Sequence, residues 1–126
     1  MDEIMTAEPT MLWPQEIRLS RSRNNLFVKF DNGYETTLSA ELLRVESPSA
    51  EVQGHGVGQK TTPTGKAKVT ISALEPVGNY AIRITFSDGH DTGLFSWDIL
   101  YDYGQRQQKL LADYLERLAA LGGNRH

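Results

Sequence analysis

The sequence predicts an α+β fold: a small antiparallel sheet system curled around one core and closed by a C-terminal helix. Three observations carry this reading. Several short runs alternate polar and apolar residues and are separated by turn sequences such as Asp31-Asn32-Gly33 and Ser87-Asp88-Gly89-His90. Near the end, Leu110, Leu111, Tyr114, Leu115, Leu118 and Leu121 fall on one stripe at helical spacing. The chain has 126 residues, 39% hydrophobic and 23% charged, which fits one domain with a single modest core.

The elements follow in order. Residues 1–13 lack periodicity and read as a flexible leader. Glu16-Ile17-Arg18-Leu19-Ser20 alternates as a half-buried strand does, Leu26 to Phe30 reads as a second strand, and Tyr34 to Leu38 returns after the Asn-Gly turn as a third. Ser39 is placed to cap a short helix from Ala40 to about Val45, which Pro48 helps to end. Residues 51–66 hold Gly54, Gly56, Gly58, Pro63 and Gly65, the chemistry of a long loop. Strands are expected at Val69–Ser72 and Ala81–Phe86, with Gly78-Asn79 between them, and a short strand at Thr92–Phe95. Ser96 caps a helix from Trp97 to Tyr103, Gly104 ends or kinks it, and a further helix runs from Gln105 to Leu121. Gly122-Gly123 stops that helix, so 14–121 form the domain and 122–126 a flexible tail.

Composition removes several function classes. With no cysteine, disulfides, thiolate metal sites, thiol catalysis and cysteine-held clusters are out. No apolar run approaches the roughly 18 residues of a membrane span, and the acidic start does not resemble a secretory signal. These features favour a cytoplasmic protein without a membrane partner. The net charge of −3 is uneven: residues 1–14 carry −3, residues 15–70 carry +2 and residues 71–126 carry −2. The middle excess includes Arg18, Arg21, Arg23, Lys60, Lys66 and Lys68, too slight to favour nucleic acid over a solvated strand face.

The residues that could carry chemistry are few. His90 lies between Asp88 and Asp91, and imidazole with carboxylates can take zinc or iron. A stable site needs three or four converging ligands, and the other non-terminal histidine, His55, is 35 residues away. The competing reading makes His90 and Asp88 ordinary turn residues. No Gly-x-Ser-x-Gly elbow exposes a serine, and Asp98 with Asp102 reads as a solvated face rather than an acid–base pair. The segment Gly54-His55-Gly56-Val57-Gly58-Gln59-Lys60 lacks phosphate-loop spacing, because Gln53 stands five before Gly58 and Gln59 separates Gly58 from Lys60. Phe95, Trp97, Tyr101 and Tyr103 are read mainly as core, with part of the Trp97–Tyr101 face as a candidate partner surface.

Three segments in combination resemble a family. They are Leu42-Leu43-Arg44-Val45 with Ser47-Pro48-Ser49-Ala50-Glu51-Val52, then Gly54-His55-Gly56, then Asp88 to Phe95 with Trp97-Asp98-Ile99-Leu100. Together they resemble the N-terminal domain of gamma-butyrobetaine hydroxylase, in its small bacterial stand-alone form, a domain of unknown function. In the hydroxylases that domain precedes an iron- and 2-oxoglutarate-dependent catalytic domain and holds zinc through Cys-x-Cys-x-x-Cys and a later histidine. The resemblance places those ligands at Ser47, Ser49, Val52 and His90, so only the histidine remains. Neither His55-Gly56-Val57 nor His90-Asp91-Thr92 matches the His-x-[Asp/Glu] part of an iron facial triad. The same domain occurs fused to P-loop ATPases of iron–sulfur cluster assembly.

The function expected from all this is a non-catalytic binding or adaptor domain engaging another protein, with no resident cofactor; the resemblance implies a setting near metallocofactor or iron–sulfur assembly. Its expected surface comprises Gly54, His55, Gly56, Lys60, Asp88, His90 and Trp97, and the outer edge of the last helix could self-associate. The alternative is a metal-binding accessory protein that holds iron or zinc through His90, His55 and Asp91.

Overall fold

The structure, a computed structural model, describes residues 12–54 and 60–125. Apart from Leu12 and Trp13, the expected leader lies outside the described residues. Two three-stranded antiparallel sheets are built from consecutive strands: β1 (Pro14–Leu19), β2 (Asn25–Phe30) and β3 (Glu35–Ser39) in one, β4 (Ile71–Val77), β5 (Ala81–Phe86) and β6 (Leu94–Ser96) in the other. Helices α1 (Ala40–Val45) and α2 (Ala50–Gln53) fall between the sheets in sequence, and α3 (Trp97–Ala120) follows them. The fold is therefore α+β, as the sequence predicts.

Alternation decides which side of each strand is buried. On β2, Leu26, Val28 and Phe30 face inward, and register pairs them with Leu19, Ile17 and Pro14 of β1 and, for Leu26 and Val28, with Leu38 and Thr36 of β3. On β5, Ile82, Ile84 and Phe86 do the same. These two faces, α1 and the first part of α3 share one core that includes Leu42, Leu43, Phe95 and Leu100. A smaller cluster of Val45, Tyr114 and Leu118 extends it toward the far end of α3.

The two predicted Gly turns are the same device. Phe30 N–H donates to Tyr34 O (2.8 Å) and Gly33 N–H to Phe30 O (3.0 Å); Phe86 and Gly89 repeat this with His90 O and Phe86 O, both at 2.9 Å. Each is a three-residue loop with glycine at positive φ, +90° and +91°. In each, the preceding Asn32 or Asp88 side chain accepts the N–H two residues on, at 3.0 and 3.1 Å.

Four details differ from the sequence reading. Strand β4 begins at Ile71 and runs through Pro76, which an edge strand tolerates because its outer N–H side needs no partner. The short third strand of its sheet lies at Leu94–Ser96. The segment expected to be all loop opens with α2. Helix α3 passes through Gly104 without a break. A Cβ there would lie 2.9 Å from both Thr36 Cγ2 and Tyr34 Oη, so this glycine serves the close approach of α3 to β3 rather than termination. The helix ends instead at Gly122 (φ +69°), where the Gly122 and Gly123 N–H groups donate to Ala119 O (3.1 Å) and Leu118 O (2.8 Å).

Candidate functional site

The turn after β5 sets the site. Asp88 Oδ1 accepts the His90 N–H at 3.1 Å, while Oδ2 accepts Arg44 Nε at 2.8 Å and also the Lys66 ammonium. Burial alone would raise the Asp88 pKa, but the hydrogen bonds from Lys66, the His90 N–H and Arg44, with the Arg44 charge, hold it at about 2. A helix, a loop and a hairpin are thereby tied to one carboxylate.

That anchor turns the imidazole of His90 inward, where its side chain is only 6% exposed. Its Nε2 lies 2.9 Å from Ser47 Oγ and 3.4 Å from Ser49 Oγ, and the two hydroxyl oxygens are 3.2 Å apart. Its Nδ1 lies 3.3 Å from Glu51 Oε1, which also accepts the Thr92 hydroxyl at 2.9 Å. Burial lowers the His90 pKa and the Arg44 charge adds to this, against the opposing pull of Glu51, Asp88 and Asp91. In a neutral ring, a proton on Nδ1 would face Glu51 and leave Nε2 to accept from a seryl hydroxyl.

The serines reach the ring because α1 ends at Val45 and the chain re-enters a helix at Ala50. Ser49 is the N-cap residue of α2, with the extended backbone of a cap (φ −70°, ψ 155°), yet its side chain makes no capping bond. Its hydroxyl faces Ser47 and His90 instead. Opposite, Gly93 closes the site; a Cβ there would collide with Ser47 Oγ and sit 3.3 Å from both Phe95 Cε1 and Pro48 Cδ.

The order Ser47–His90–Glu51 is that of a nucleophile, base and orienting carboxylate. Ser47 is 0% exposed, however, so no substrate carbonyl can approach its oxygen. Among the described residues, no group of three or more His, Cys, Asp or Glu side chains is placed to hold a metal ion.

The structure disperses the other expected site residues. Asp91 is exposed beside the turn. Lys60 Nζ pairs with Glu46 Oε1 (2.7 Å), whose other oxygen holds Arg117 (2.9 Å), an ionic knot around the buried Glu46 that joins the end of α1 to α3. Gly54, at φ +76°, closes α2. Trp97 is 8% exposed and its indole N–H donates to Asn79 O at 3.0 Å, which makes it a core residue. His55 and Gly56 lie outside the described residues. Sequence reasoning missed Glu51, Arg44 and Lys66. Arg44 and Glu51 sit in segments that carry the family resemblance and Lys66 in the long loop, but only tertiary contact brings each to His90 or Asp88.

The family model described as gamma-butyrobetaine hydroxylase-like, N-terminal, matches residues 17–101. The chain belongs to this family. Two NMR solution structures resemble this family domain over nearly its whole length: one is 44% identical, covering 92% of this chain and 91% of the other with a TM-score of 0.79, the second 48% identical, covering 96% and 90% with a TM-score of 0.79. A crystal structure of a protein of unknown function from Acidithiobacillus ferrooxidans, assigned to the DUF971 family, is 39% identical over 69% of this chain and 86% of that one, with a TM-score of 0.56. No curated protein matches the chain. In this gamma-butyrobetaine hydroxylase-like domain, two of the positions that the resemblance assigns to zinc-binding cysteines hold Ser47 and Ser49, both hydrogen-bonded to His90. The third, Val52, is buried on α2.

Proposed function

We propose that this domain is a non-catalytic binding module that engages another protein through the β5–β6 turn and its surroundings. The observation that supports this reading most is the Ser47–Ser49–His90–Glu51 cluster, in which the side chains are engaged with one another and Ser47 is 0% exposed. The cluster then acts as a brace that fixes the turn. Beside it, Asp91, Thr92 and the 41% exposed Leu94 present a mixed polar and apolar strip to solvent, the composition of an interface rim with one apolar anchor. The setting suggested by the family's fusions is metallocofactor or iron–sulfur assembly. Iron or zinc binding through His90, His55 and Asp91 is the competing reading, and it would require His90 to give up its present partners.

The test has two arms. A photo-crosslinking residue at Leu94 should yield one defined protein adduct in extract of the source cells, and the same residue at Glu116 on exposed α3 should not. Tag-free protein should carry sub-stoichiometric iron and zinc, unchanged by His90→Ala. Equal labelling from both positions would contradict the adaptor reading. One equivalent of metal, lost in His90→Ala, would establish the metal-binding alternative.

A further inference from the structure

The Arg44 guanidinium has five N–H donors, yet its hydrogen bond runs from Nε to Asp88 Oδ2, at 2.8 Å. Nη1 is buried and faces no acceptor among the described residues. A buried donor without a partner is destabilising, and a charged one more so. Asp88 cannot relieve it, because Oδ1 accepts the His90 N–H and Oδ2 serves both Arg44 Nε and Lys66 Nζ.

Arg44 lines a cleft of about 330 Å³ with Lys66, Thr61, Thr64, Glu51 and His90. Its walls are rich in donors. Lys66 has N–H groups beyond the one given to Asp88, and the two threonines add hydroxyls. Among the described residues, the one acid in the wall is Glu51, 63% exposed and turned toward His90 Nδ1 and Thr92. Two cations thus share a single carboxylate whose oxygens are already engaged.

We propose that this cleft binds a carboxylate or phosphate oxyanion, received by Arg44 and Lys66, with the Thr61 and Thr64 hydroxyls completing the shell. A guanidinium edge matches such oxyanions in shape as well as in charge, and the cleft has room for a small organic acid or phosphate ester. The site does not depend on the protein-binding role proposed above.

The experiment is a titration of ¹⁵N-labelled full chain with sodium phosphate and, separately, sodium succinate, at pH 7 and with ionic strength held by sodium chloride. Saturable shifts should be confined to the Arg44 Nε–Hε and to the amides of Thr61, Thr64, Lys66 and His90. Saturation by one ion and not the other assigns a phosphate or a carboxylate. Glu51→Gln, which removes an exposed like charge and leaves an acceptor for His90, should tighten binding about threefold or more. Lys66→Met should weaken it about tenfold. Shifts that grow linearly with both ions, or saturable shifts that Glu51→Gln and Lys66→Met leave unchanged, would overturn the proposal.

Discussion

His90 is an internal strut, and its partners can be separated by substitution. Ser47→Ala removes the 2.9 Å partner of Nε2 and leaves Ser49 at 3.4 Å, so it should cost about 1–2 kcal/mol in chemical denaturation. Gly93→Ala should cost more, about 2–3 kcal/mol, because its Cβ collides with Ser47 Oγ. The two changes should not add. With the hydroxyl gone, the alanine at 93 loses its main obstacle, and a double-mutant cycle should show at least ~1 kcal/mol of favourable coupling. Strict additivity would mean that Gly93 and Ser47 do not press on one another.

Titration at this scale has a definite sign. Both Asp88 and His90 have folded-state pKa values below their ordinary ones. For each, the stabilising form is the deprotonated one, complete above the unfolded-state pKa and lost as pH falls through the folded-state pKa. Stability should therefore decline in two stages, the first beginning near 6.5 as His90 is driven to protonate, the second between 3.8 and about 2 as Asp88 does. Asp88→Asn should flatten the second stage and leave the first. Denaturation midpoints measured from pH 8 to pH 2 check this; an unchanged acid limb in Asp88→Asn contradicts it.

Among the elements, the hairpins and helix caps were legible because each rests on local chemistry. Asn32-Gly33 and Asp88-Gly89 build turns from their own side chains and glycine φ. Ser39 and Ser96 accept the Leu42 and Ile99 N–H groups at 3.1 and 3.2 Å, as capping serines do. Gly104 misled for the opposite reason. Its cause is not in the helix but in Thr36 and Tyr34 of the neighbouring sheet, nearly 70 residues earlier, and sequence spacing carries no trace of that approach. Gly104→Ala should thus destabilise the fold by about 1–2 kcal/mol, the overpacking penalty exceeding the gain in helix propensity. A rise in the unfolding midpoint would instead mark Gly104 as a simple weak point of α3.

Across the whole molecule, the sequence carried the fold class and the family but not the wiring of charged side chains. Long-range ion pairs join distant segments of the described residues, and Arg125 illustrates this. Its guanidinium grips Glu41 on α1 with two bonds, at 3.0 and 2.6 Å, while the Gly65 and Ala67 N–H groups donate to Asn124 O and Arg125 O at 2.9 and 2.8 Å. Residues 122–125, expected as part of a loose tail, are bound to two separate parts of the domain. Arg125→Ala should lower stability by about 1–2 kcal/mol by leaving the buried Glu41 carboxylate without its partner. A shift of less than ~0.3 kcal/mol in denaturant would show that the pair is merely a surface contact.

His90 is committed to Ser47, Ser49 and Glu51 at positions where the family resemblance places a zinc site. The most direct measurement is the imidazole ¹⁵N spectrum of His90 at pH 7, recorded before and after one equivalent of zinc and then of ferrous iron. The expected result is a neutral ring protonated at Nδ1, with Nε2 at the position of a hydrogen-bond acceptor and unmoved by either metal. A charged imidazolium, or an Nε2 resonance displaced stoichiometrically by metal, would contradict it.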